Sequence, residues 1–191
     1  MKKAPYVHKK IAVNVAIDLE TLDLRPRAAV VSVGLAAFTV QGGIVGTAYV
    51  ILDTKSQILV GRSVSDDTVA WWGRQAPEVR AVLDDPSRMS PEIALQHITS
   101  FFERFQNNTY MVEGVWGFGA DFDNATLIDL FADYRVPLPW DYRANRCGRT
   151  LVAVEGTTKP ASKKGSVHHN ALDDAIWQAE YFRSALFNKR R

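Results

Sequence analysis

The chain predicts an α/β fold, a mixed five-stranded sheet flanked by helices. Three observations carry that prediction. Residues 11–52 hold three strand-like stretches joined by short links. From Ser65 onward, helix-like stretches alternate with short apolar runs. No linker, internal repeat or low-complexity tract divides the 191 residues, which suffice for one domain with a substantial core, so 1–191 reads as a single unit with short basic tails.

The first strand is IAVNVAIDLE, Ile11 to Glu20. Ile11, Val13, Val15 and Ile17 share one face with the period of two that strands require, and Ala12, Ala16, Asp18 and Glu20 share the other. A polar loop with Pro26 leads to Ala28–Val40, a nearly continuous apolar run that reads as a central strand covered on both faces. Gly42-Gly43 marks a tight turn into a third strand, Ile44 to Leu52, so the first three strands form an antiparallel meander.

The pattern then turns helical. Ser65 followed by Asp66 and Asp67 suits a helix start, and Pro77 opens a short helix running to Leu83. Ser90-Pro91-Glu92 begins a longer one, with Ile93, Ala94, Ile98, Phe101, Phe102 and Phe105 at helical spacing. Met111 to Trp116 is the fourth strand. Asp121 reads as the cap of the next helix, which carries Leu127, Ile128, Phe131 and Tyr134 and stops before Pro137 and Pro139. Residues 141–154 have room for a fifth short strand and a short helix. The segment 157–167 is polar and glycine-bearing and reads as a mobile loop, and Asn170 caps a final helix with Leu172, Ala175, Ile176, Ala179, Phe182 and Leu186 inward.

Composition narrows the function classes. One cysteine, Cys147, excludes an internal disulfide and a cysteine-based zinc site and fits a reducing compartment. No apolar run reaches the length of a membrane span, and MKKAPYVHKK lacks the apolar stretch of a signal peptide; a cytoplasmic location without membrane contact is expected. The net charge is only +2, but basic residues gather at both ends and at Arg135, Arg143, Arg146, Arg149, Lys163 and Lys164, where they can meet phosphates or simply face solvent. There is neither a nucleophile elbow nor a Walker loop.

Asp18 and Glu20 project the same way from the end of an apolar strand. Two carboxylates so placed repel each other and lose hydration, which makes sense if a cation lies between them; the bland alternative is a polar strand end. Two further segments offer partners. Asp123 falls in the first turn of a helix after the fourth strand, where a plain helix-start acid is also favoured. In HNALDDA, residues 169–175, His169 stands in a loop and Asp174 in a first helical turn, with Asp173 the better capping acid and His168 the tandem alternative to His169.

In this order, IDLET (17–21), GADFDNATL (119–127) and HNALDDA (169–175), the chain resembles the DEDD superfamily of 3′–5′ exonucleases, in its histidine-bearing DEDDh branch. The resemblance spans nearly the whole chain. It is closest to the small phage exodeoxyribonucleases and related bacterial 3′–5′ exoribonucleases, which share the DLETL start, a tryptophan pair such as Trp71-Trp72, and a segment like Pro139-Trp140 followed by Arg146 to Thr150. It implies an RNase H-like fold and metal-dependent hydrolysis of single-stranded DNA or RNA from the 3′ end to nucleoside 5′-monophosphates.

The resemblance also implies roles. Two divalent cations, Mg²⁺ or alternatively Mn²⁺, are held by Asp18, Glu20, Asp123 and Asp174. Asp18 bridges both; Glu20 and Asp174 serve the one that activates water, and Asp123 the other. His169 takes the proton of the attacking water. Thr21 and Leu22 line the pocket for the terminal nucleotide. Phe118 departs from the pattern, standing where many members carry Asn or His, which leaves the ligands intact.

From the residues themselves, Phe122 either stacks on a base or packs in the core, and Lys163 and Lys164 can meet phosphates on a loop that closes over substrate and delivers His169. Trp71-Trp72 reads as core or interface anchors in preference to base platforms, with a homodimer one possibility. The rival function is a nucleic-acid-binding module with a degenerate site; a small-nucleotide phosphohydrolase is a third.

Overall fold

The computed structural model describes residues 10–155 and 169–189. Among these residues five strands form one sheet: β1 (Ile11–Thr21), β2 (Val30–Thr39), β3 (Gly43–Ile51), β4 (Tyr110–Gly117) and β5 (Asn145–Cys147), in the spatial order β3-β2-β1-β4-β5. β1 pairs antiparallel with β2 and β2 with β3, whereas β1–β4 and β4–β5 are parallel. The middle position belongs to β1. β2 is interior and buried along its whole length, as its apolar run requires.

The helices are α1 (Thr54–Leu59), α2 (Asp66–Gly73), α3 (Pro77–Arg80), α4 (Pro91–Glu103), α5 (Asp123–Asp133), α6 (Gly148–Glu155) and α7 (Ala171–Lys189). The pleat of β1 sorts them into two layers. Val13, Val15, Ile17 and Leu19 pack with Leu95, Ile98 and Phe102 of α4 and Leu127, Leu130 and Phe131 of α5. On the opposite face Ala16, Ala36, Phe38 and Trp116 pack with Ala175, Ala179 and Phe182 of α7 and Leu151 of α6. Small side chains on both sides of that second interface let α7 lie close to the sheet. Asp18 and Glu20 share the parity of Ala16, so the pleat turns them toward α7.

Three local expectations are corrected. α1 was not anticipated in the sequence: Asp53 caps it by accepting from the Ser56 N–H at 2.9 Å, and its buried Gln57 bonds both the N–H and the C=O of Val30. α5 begins at Asp123 with Phe122 in the cap position; Asp121 faces solvent near Arg149 instead of capping. Ile93 is 48% exposed, and Leu95 takes the inward place on α4, because the buried stripe runs through Ala94, Leu95 and Ile98.

Candidate active site

The site forms where β1 and β4 end and the first turns of α5 and α7 arrive. Two glycines set the approach. A Cβ on Gly34, directly across from Asp18 in the β1–β2 register, would lie 2.0 Å from the Ala171 carbonyl oxygen. The first turn of α7 therefore rests on bare β2 backbone, which brings Asp174 over β1. A Cβ on Gly117, the last residue of β4, would lie 2.5 Å from Asn124 Oδ1 and 2.7 Å from the Asp123 Cβ. The start of α5 sits on that glycine in the same way. Asn170 caps α7 by accepting from the N–H groups of Leu172 and Asp173 at 3.0 and 3.2 Å, which fixes the turn that carries Asp174.

Carboxylate oxygens of Asp18, Glu20 and Asp174 all lie within 4.8 Å of one another. Asp123 stands beside this trio, its Oδ2 accepting from the Gly119 N–H at 3.2 Å. The electrostatics are those of crowded, desolvated like charges. Burial, then the charges of Asp123, Glu20 and Asp174, hold the Asp18 carboxyl well above its ordinary range, against a smaller downward pull from Gln178. Burial, then Asp174 and Asp123, push Glu20 up to about 8. Burial raises Asp123 to about 6, opposed by the Gly119 N–H and the charge of Arg149. Such a group resists full ionisation unless cations neutralise it. Hard carboxylate oxygens at this spacing are the donor set that divalent metals prefer. The buried Gln178 Oε1, which has no hydrogen-bond partner among the described residues, is a further polar atom beside the cluster.

A cavity of about 440 Å³ opens next to the cluster, within the roughly 300–1,000 Å³ usual for small-molecule sites. Its walls are Leu19, Glu20 and Thr21 of β1, Trp71 of α2 and Phe122, with Leu24, Asp67, Thr68 and Arg74 at its edges. Thr21 is tied down from two sides: its Oγ1 donates to the Asp23 carbonyl at 2.6 Å, and its own carbonyl accepts from Trp72 Nε1 at 2.9 Å. Leu22, expected to line the pocket with Thr21, is half-buried and is not among the residues lining this cavity; its N–H donates to Ala29 and its carbonyl accepts from Ser65. The tryptophan pair divides its labour. Trp72 is core, 2% exposed, while Trp71 meets the cavity on one side and the His169 ring edge-on, 4.8 Å between centroids. His169 is exposed and left-handed, with φ 65°, at the turn into α7. Phe118 packs with Trp177, Tyr181 and Phe182. Lys163, Lys164, His168 and the segment 157–167 lie outside the described residues.

Sequence reasoning missed two residues. Gln178, buried at 2% exposure, donates from Nε2 to Asp18 Oδ1 at 2.7 Å. Its signal was its place four residues after Asp174, one helical turn along the same face. Trp71 was read as an anchor; only the placement of α2 against the end of β1 makes it a cavity wall.

The family model of Rv2179c-like 3′–5′ exoribonuclease domains matches residues 13–186. No curated protein matches in sequence. Among solved structures, the chain is similar to the nuclease domain of 3′hExo, a DEDDh family member bound to rAMP, with TM-score 0.59, 12% identity and 92% of each chain covered. It is also similar to cell-death related nuclease 4, with TM-score 0.63, 9% identity, and 93% of this chain and 66% of that one covered. A third similar structure is E. coli Exonuclease I with a dA16 oligonucleotide, at TM-score 0.58 and 13% identity, where the match covers 93% of this chain but only 42% of the other. These likenesses establish the RNase H-like exonuclease fold, and the family match adds the activity. The chain belongs to the Rv2179c-like 3′–5′ exoribonuclease domain family and is a 3′–5′ exonuclease.

Proposed function

We propose that residues 1–191 act as a single domain that shortens single-stranded RNA from its 3′ end, releasing nucleoside 5′-monophosphates, with Asp18, Glu20, Asp123 and Asp174 holding two divalent cations, Mg²⁺ in preference to Mn²⁺. The observation that carries this reading is the close set of Asp18, Glu20 and Asp174 oxygens, within 4.8 Å of one another, opening onto a cavity with aromatic walls. RNA as the substrate rests on the family description. The single cysteine and the lack, among the described residues, of any helix long and apolar enough to cross a membrane are compatible with work in the cytoplasm.

When bound, the cations supply water activation and neutralisation of charge on phosphorus. The chain's own residues do the rest. The terminal nucleoside enters the cavity, where Trp71 and Phe122 offer π-faces to its base and Thr21 offers a fixed wall. That places the last phosphodiester beside the carboxylates. His169 accepts a proton from the attacking water. The water oxygen bonds to phosphorus, the bond to the 3′ oxygen of the preceding nucleotide breaks, and that oxygen is protonated as it leaves. Lys163 and Lys164 meet backbone phosphates. Leu22 supports the cavity wall from behind. A homodimer is compatible with this scheme and is checked by light scattering.

The test is a cleavage time course on matched 5′-labelled single-stranded RNA and DNA, with Mg²⁺, Mn²⁺ or EDTA, beside Asp174→Ala. A ladder shortening from the 3′ end, faster on RNA and lost with EDTA and in the variant, is the expected result. Tight strand binding without metal-dependent shortening would instead leave a binding module with a degenerate site.

A further inference from the structure

The buried amide of Gln178 hydrogen-bonds the side chain of Asp18, and it reaches across 160 residues of chain to do so. Its Nε2 donates to Asp18 Oδ1 at 2.7 Å, while its Oε1, on the same carbon, has no hydrogen-bond partner among the described residues. An orphaned buried carbonyl is costly, because it has given up its hydrogen bonds to water and gained none. The rest of the buried face of α7 is apolar, with Ala175, Ala179 and Phe182 in the core.

The two ends of the amide ask for different things. The N–H holds Asp18 Oδ1 and so fixes the orientation of a carboxylate that lies close to Glu20 and Asp174. The carbonyl sits within a few ångströms of the same carboxylate and can only accept. Among carboxylates that repel one another, the natural donor for it is a water of a cation's hydration shell. Mg²⁺ keeps several of its waters when bound, so an acceptor at that distance fits it well.

We infer that Gln178 is a positioning residue of the metal site, orienting Asp18 through Nε2 and accepting from the hydration shell of a bound divalent cation through Oε1. This rests on the metal-dependent exonuclease reading above. It makes α7 contribute twice to the site, with Asp174 and, one turn later, with Gln178. It also predicts a preference: Mn²⁺, which gives up its waters more readily, depends on Gln178 less than Mg²⁺ does.

The variant is Gln178→Met, which keeps the length and helix propensity but has neither donor nor acceptor. Mg²⁺ binding is measured by calorimetry and Mn²⁺ binding by electron paramagnetic resonance, both without substrate; kcat and KM on a single-stranded oligonucleotide follow as functions of metal concentration. Mg²⁺ affinity is expected to fall roughly 10–100-fold, as when partners of metal ligands are removed. Mn²⁺ affinity falls less. The rate at limiting Mg²⁺ drops in parallel and recovers as Mg²⁺ is raised, while KM for the oligonucleotide at saturating metal holds. Gln178→Asn, with the amide drawn back by one methylene, shows the same pattern more weakly and serves if the Met variant does not fold.

Asp174→Asn is run beside them. If it abolishes metal binding and cleavage while Gln178→Met keeps wild-type Mg²⁺ affinity and rate, the inference about Gln178 is overturned and the exonuclease reading stands. If Asp174→Asn also leaves both unchanged, the metal-site reading itself fails.

Discussion

Replacing Gly34 by alanine tests the reasoning most directly, because the perturbation is one methyl group on a residue that itself carries no reacting atom. The new Cβ would lie 2.0 Å from the Ala171 carbonyl oxygen, 2.2 Å from its carbon and 2.5 Å from the Leu172 nitrogen. All three are backbone atoms, so no rotamer change relieves the clash. Reaching ordinary contact demands a retreat of about 1.4 Å by the first turn of α7 or by β2. β2 is held between two strands and buried throughout, so α7 yields. Further along α7, Ala175, Ala179 and Phe182 are locked in the core. The helix therefore lifts at its N-terminal end, where His169 and Asp174 are.

A misplacement of about 1 Å can cost on the order of 10²-fold in rate. Overpacking of this kind costs about 1–3 kcal/mol of stability. The assay is Mg²⁺-dependent shortening of a 5′-labelled strand, with thermal unfolding to separate a displaced helix from an unfolded chain. Gly73→Ala is the control, since a Cβ there meets nothing within 4 Å. A Gly34→Ala protein with wild-type rate and wild-type melting temperature would refute the argument that α7 is seated on this glycine.

The carboxylate cluster makes the metal-free protein pH-sensitive. A carboxyl whose folded-state pKa is raised stabilises the fold fully below its unfolded value, and that contribution is lost as pH rises through the folded value. Glu20 moves from 4.5 to about 8 and Asp123 from 3.8 to about 6. In EDTA the melting temperature should therefore fall between about pH 4.5 and 8, and Mg²⁺ should restore it increasingly over that window; parallel curves with and without Mg²⁺ would contradict this. Glu20→Gln should abolish cleavage yet raise the melting temperature in EDTA, because it removes one of the repelling charges; a lower melting temperature in EDTA would show that Glu20 carries a fold-supporting contact instead. Trp71→Ala and Phe122→Ala should each weaken oligonucleotide binding by about 1–3 kcal/mol, read as KM, while Trp71→Phe keeps most of it; unchanged KM in both alanine variants would take the terminal base out of the cavity.

Much of this protein is written in local pattern. The alternation of Ile11 to Glu20 determined a strand and put Asp18 and Glu20 on one face, because a strand's period is fixed at two. Ser90-Pro91 and Asn170 marked helix starts because the exposed N–H groups of a first turn need such caps. The order of the three acidic motifs sufficed for the resemblance to DEDDh exonucleases. What failed locally was α1, whose Asp53 cap and buried Gln57 answer to Val30 across the chain, and the start of α5, which Gly117 sets by admitting Asp123 and Asn124 against β4.

Only the tertiary structure decided which chemistry-bearing residues meet. Gln178 and Asp18 are 160 residues apart, and Trp71 reaches the cavity only because α2 docks against the end of β1 through Trp72 and Thr21. Sequence sets the face on which a side chain emerges, since that follows from backbone geometry within a few residues. The distance between two faces depends on how closely elements pack, and here that closeness rests on two glycines whose missing side chains no periodicity records.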